Sequence, residues 1–169
     1  LASPIHEDRL FAVFALVHRY QKSKGDDKDA VVAFYLEHTD RINNWDIVDA
    51  SAHKILGQHL LNRPRKIMDQ LVRSESLWER RIAMVATYAL IKNGDCKPTL
   101  RLAKKLLRDP EDLMHKATGW MLREVGKQDE HALLAFLDAH GPQMPRTMLR
   151  YAMEKLAPEI RQAYLEGTR

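Results

Sequence analysis

Small residues recur at the middle of successive helical segments: Ala52, Ala83, Gly119 and Ala152, separated by 31, 36 and 33 residues. A spacing of this size suits a stack of helical hairpins, because a small side chain at each crossing lets neighbouring backbones approach closely. Nothing in the chain alternates apolar and polar long enough for a strand; apolar residues return at three and four, as helices require. The expected fold is therefore all-α, an α-α superhelix of about ten helices in antiparallel pairs, with residues 1–169 as a single domain. A chain of this length can bury about two-thirds of its unfolded surface.

Capping residues place the helices. Ser3-Pro4 reads as N-cap and first-turn proline of a helix to about Ser23. Asp26 or Asp27 caps a second, ending near Thr39, and Asn43 or Asn44 a third, from Trp45 to about Leu61. Pro64 starts a short fourth helix to Arg73, and Ser76-Leu77-Trp78-Glu79 is a capping box for a fifth that stops at Asn93-Gly94. Pro98 opens a sixth, Asp109-Pro110 a seventh that stops at Gly126, and Asp129, Pro145 and Pro158 three more.

Composition narrows the function. Uncharged apolar runs such as Phe11 to Val17 are too short for a bilayer, which takes about 20 residues. The lone Cys96 forms no internal disulfide and fits a reducing cytoplasm. Residues 1–62 carry seven Lys and Arg against nine Asp and Glu, whereas 63–169 carry twenty against fourteen. That basic excess permits a polyanionic partner. The histidines are scattered, with His53 and His59 on different helix faces, so no metal site is expected, and the glycines lack phosphate-loop spacing.

On a helix beginning near Asn44, Trp45 and Asp49 share one face. Trp78 and Trp120 are each followed three residues on by an arginine, Arg81 and Arg123. These helices are second members of successive pairs and are expected to line one concave groove, displaying Trp45, Asp49, Arg81, Trp120 and Arg123 with Lys116, Arg146 and Arg150 nearby. Cations there suit phosphates, and indole faces suit a sugar or a cationic base. A carboxylate among them suits positive charge developing on a sugar as an N-glycosidic bond breaks. Each feature also has a plainer reading: carboxylates at helix starts favour the dipole, and Arg81 can serve a salt bridge.

Four segments carry a resemblance. Asn43-Asn44-Trp45-Asp46-Ile47-Val48-Asp49 with Ser51-Ala52, Leu77-Trp78-Glu79-Arg80-Arg81, Lys116 to Glu124, and Met144 to Ala152 together resemble the bacterial DNA alkylation repair family, the HEAT-like-repeat alkylpurine DNA glycosylases. The resemblance implies a solenoid that grips duplex DNA and excises cationic N3- and N7-alkylated purines, without metal or cofactor and without drawing the base into a pocket. By motif, Asp49 would be the catalytic carboxylate, Trp45 and Trp120 the aromatics against the lesion's sugar-phosphate, and Arg81 the cation holding the backbone there. Arg123 and Lys116 would be further phosphate contacts. No matched lysine would form a Schiff base, which implies a monofunctional glycosylase, working as a monomer in the bacterial cytoplasm or nucleoid with no obligate protein partner. Family members carry further helices ahead of the region that begins here at Leu1, so a partial domain with weakened binding is expected. Position 53 is His where the family usually has proline, and little consequence is expected. A non-catalytic DNA-binding relative and a protein-binding scaffold are the alternatives.

Overall fold

A computed structural model describes residues 1–167, and among them it contains ten α-helices and no strand. They are α1 (His6–Lys22), α2 (Asp26–Glu37), α3 (Trp45–Ser51), α4 (Lys66–Leu71), α5 (Leu77–Lys92), α6 (Lys97–Lys105), α7 (Asp112–Gln128), α8 (Glu130–His140), α9 (Arg146–Met153) and α10 (Pro158–Glu166). The all-α helical-repeat reading of the sequence holds. The chain divides into two compact units, Leu1–Ala89 and Leu90–Arg169. No helix among the described residues is long and apolar enough to cross a membrane.

In the first unit, α1 packs against α2 and α3. The Asn44 side chain accepts the Trp45 amide at 2.8 Å and so sets the start of α3. Ile47 and Val48 are fully buried, and Ser51 donates to the Ile47 carbonyl at 2.7 Å. With that hydroxyl proton committed, the buried Tyr35 phenol is the donor in its 2.8 Å bond to Ser51 Oγ, which ties α2 to α3. Burial pushes the Tyr35 phenol well above its ordinary range and so keeps it protonated.

The helix begun by α3 does not run on as a plain α-helix to Leu61. His53–Gly57 form a π turn, closed by the Gly57 amide bonding the Ala52 carbonyl at 2.9 Å. The reason lies in α5. Eight regular steps from Asp49 would leave Gly57 about 80° around the helix. The wider turn advances less per residue, so both positions face α5. Gly57 has to face it: a Cβ there would lie 2.3 Å from the Ala86 carbonyl oxygen and 2.9 Å from Ala89 Cβ. Arg65 then seals the end of this segment, donating to the carbonyls of Leu60 and Leu61 at 3.2 Å each.

In the second unit α7 packs on α9 and α8. Gly119 is the crossing point with α9, where a Cβ would sit 2.5 Å from Tyr151 Cβ and 2.6 Å from the Met148 carbonyl oxygen. Gly126 was expected to stop α7, yet α7 continues to Gln128. Its lack of a side chain serves packing, since a Cβ would meet Leu133 of α8 at 2.5 Å. Asp129 caps α8 by accepting the Ala132 amide at 2.9 Å. At the other end of the chain, α1 begins at His6, two residues later than the Ser3-Pro4 signal, because Ser3 Oγ accepts the Ile5 amide and donates to Asp8.

Candidate functional site

The first turns of α3 carry three side chains with separate fates. Trp45 stands 52% exposed. Asp46 turns back, accepting the Ile47 amide at 2.7 Å and meeting His6 Nε2 at 2.8 Å. Asp49, one turn beyond Trp45, faces Arg81 of α5. Arg81 Nε donates to Oδ1 at 3.0 Å and Nη2 to Oδ2 at 2.8 Å, a bidentate fork. The Arg81 side chain is 6% exposed and that of Asp49 19%.

This differs from the groove drawn from sequence in one respect that matters chemically. Arg81 was expected to hold a DNA phosphate, but its guanidinium is almost wholly buried against Asp49. It fixes the acid's orientation and partly neutralises it. A fork uses one lone pair on each carboxylate oxygen, so the exposed edge of Asp49 keeps acceptor capacity towards solvent.

His53 lies a further turn along, its ring meeting Tyr88 of α5 edge-on at 5.3 Å and 80°. Burial, helped by the Lys54 charge, holds this imidazole below its ordinary range; the Asp49 carbonyl and carboxylate pull the other way. Trp45, Asp49 and His53 thus follow one another at four-residue intervals. Reading the sequence gave His53 no role, although a histidine four places from the candidate acid was the available signal.

In the second unit the candidate cations separate into those paired with a carboxylate and those with none among the described residues. Arg123 of α7 is committed: its Nη1 pairs with Glu154, the residue just after α9, and its Nε lies 3.6 Å from Glu124. With 18% of its side chain exposed, it is a structural cation first. Lys116 pairs with Asp112 one turn back at 2.8 Å, a contact that, with Thr147, holds the Asp112 carboxyl below the usual range. Arg146 donates to the Leu165 carbonyl at 3.2 Å and has no ion pair among the described residues. Arg150 is exposed with no carboxylate partner among them. Trp120 is half-buried on α7.

Sequence reasoning missed Glu124, whose side chain is 4% exposed and meets Lys127 at 2.6 Å, Arg123 at 3.6 Å and Lys92 at 3.9 Å. Its spacing from Lys127, three residues on one helix, was visible; its burial was not. Among the described residues, no three His, Cys, Asp or Glu gather as metal ligands would.

Among curated proteins, none matches the chain. The family model described as DNA alkylation repair enzyme matches residues 1–156, a span that contains Trp45, Asp49, Arg81, Trp120 and Arg123. With that match over most of its length, the chain belongs to the DNA alkylation repair enzyme family.

Proposed function

We propose that the chain is a monofunctional DNA glycosylase that excises cationic N3- and N7-alkylated purines from duplex DNA. The observation that carries this reading is Asp49: a carboxylate set rigidly by Arg81, one turn from an exposed indole, in a chain of the alkylation repair family. An alkylated purine is already positively charged. When the bond from C1′ to the purine nitrogen breaks, its electron pair goes to the base, which leaves neutral. Positive charge then passes to C1′ and O4′ of the sugar.

Asp49 supplies negative charge to that oxocarbenium ion, and water adds to C1′, losing a proton to the carboxylate or to solvent. No general acid is required, because the leaving group needs no proton. In this mechanism Arg81 is a positioning residue: it prevents Asp49 from rotating and does not itself touch the reacting atoms. Trp45 offers an apolar face to the sugar, and Trp120, Arg146 and Arg150 are assigned to the DNA backbone, with Lys116 and Arg123 engaging it only by exchanging their carboxylate partners.

One observation favours a second reading. Asp49 is already paired and mostly buried, as a purely structural acid would be, which fits a relative that binds DNA without excising bases. Single-turnover release of 7-methylguanine from methylated duplex separates the two. Asp49→Asn should lower the rate about 100- to 1000-fold while affinity stays nearly intact. Because that change removes the carboxylate charge facing Arg81, the double variant Asp49→Asn with Arg81→Gln is the control. It should regain stability and remain inactive. Excision by wild type and Asp49→Asn at equal rates would remove Asp49 from the chemistry.

A further inference from the structure

Asp49, His53 and Gly57 turn towards α5, and the residues one place after the last two, Lys54 and Gln58, turn elsewhere. They line an open cavity of about 330 Å³ with Tyr20 and Gln21 from the end of α1 and Lys28 from the start of α2. Every side chain in that lining can donate a hydrogen bond, and none is acidic.

Neither lysine has a carboxylate partner among the described residues. Lys28 rests over the Tyr20 ring, 4.8 Å from its centre, and Lys54 is a half-buried residue with no ion pair among the described residues. Tyr20, a residue of the cavity wall, is only 4% exposed, yet among the described residues its hydroxyl has no hydrogen-bond partner. Burial pushes its phenol up, so it remains a donor at neutral pH. Asp29, the acid whose charge acts on the Tyr20 phenol, is occupied, with Arg63 Nη1 at 2.7 Å and His59 Nε2 at 3.5 Å. The contrast with Lys116 and Arg123, whose charges are met within the protein, is direct.

We propose that this cavity is a second anion site, separate from Asp49, which takes a phosphate group. Two ammonium groups supply charge, and a phenol and two carboxamides supply directed donors. A tetrahedral oxyanion with several acceptors and no donors matches that set, whereas a neutral ligand would leave both lysines uncompensated. The phosphate group comes either from the backbone of a nucleic acid strand or from free phosphate. The site stands whether or not Asp49 cleaves glycosidic bonds.

The test is a titration of uniformly 15N-labelled protein with sodium phosphate, against sodium chloride at matched ionic strength, followed by proton–nitrogen correlation spectra. Phosphate should shift the side-chain amides of Gln21 and Gln58 saturably, and the double variant Lys28→Gln with Lys54→Gln should weaken that response at least tenfold. Both lysines reach solvent, so an unaltered remainder of the spectrum will show that the variant is folded. A short duplex identifies the source. If the backbone occupies the cavity, duplex shifts the same amides, and each lysine replaced lowers the salt slope of binding by about 1. An unchanged slope with a retained phosphate response assigns the site to free phosphate. Chloride-like behaviour of phosphate, or equal shifts in wild type and double variant, would overturn the site.

Discussion

Asp49 in the first unit and Glu124 in the second are both carboxylates drawn out of water, with 19% and 4% of their side chains exposed. Asp49 meets Arg81 through one bidentate fork, its other edge open, one turn from an exposed indole. Glu124 is met by Lys127, Arg123 and Lys92. A single rigid partner orients an acid and leaves a side for a reacting group. Three cations around an acid offset its charge from several sides and make it a joint between helices. The same residue chemistry is thus available for two purposes, according to how many partners surround it.

The widest separation between the two acids should appear in catalysis. Alongside the deep loss expected for Asp49→Asn, Glu124→Gln should leave single-turnover excision unchanged. A loss of equal depth in both would erase the distinction. Stability should separate them in a second way. Arg81→Ala strands a largely buried carboxylate and should cost about 3–5 kcal/mol in urea unfolding. Glu124→Gln removes a charge whose two lysine neighbours, Lys92 and Lys127, are 51% and 43% exposed and already partly hydrated, so about 1–2 kcal/mol is expected.

The helix crossings sharpen the comparison further. Gly57→Ala and Gly119→Ala each force a Cβ against backbone and should each cost about 1–3 kcal/mol. Only the first displaces the helix that carries Asp49, so thermal melts should fall for both, while the single-turnover rate at saturating protein, which is insensitive to weakened DNA binding, falls for Gly57→Ala alone.

Acidification should give the smallest effect. Burial holds His53 and His59 below their ordinary range, so between the unfolded and folded values the unfolded chain binds more protons. Their contribution is complete above the ordinary histidine range and is lost as pH falls towards the folded values. Urea midpoints at about pH 7.5 and 5.5 should therefore differ, and His53→Asn should narrow the gap.

Much of the fold was legible because caps and periodicity are local. Asn44, Asp129 and Pro158 start α3, α8 and α10 as their positions require. What escaped was set by neighbours distant in sequence. Gly126 read as a helix stop, but Leu133 dictates it; the π turn is set by the approach to Ala86. Glu79, read as half of a capping box, accepts the Thr39 hydroxyl at 2.7 Å and so ties the end of the first hairpin to α5, while the Ser76 amide bonds Ser74 Oγ at 3.1 Å. The candidate site was legible as a set of residue types, since Trp45, Asp49 and Arg81 belong to recognisable motifs. The pairing of Asp49 with Arg81 was not, because an arginine 32 residues away serves a phosphate or an acid equally well until packing decides.

The π turn between Ala52 and Gln58 has a consequence for how this helix tolerates change in length. Seven ordinary steps return a helix to within about 20° of its starting direction, so the eight-residue interval from Asp49 to Gly57 is such an interval with one residue inserted. Deleting a single residue there would let the backbone close as an ordinary α-helix with acid and glycine still aligned on α5. Whatever the inserted position contributes would then be its side chain alone, and a shortened chain is the means of isolating it.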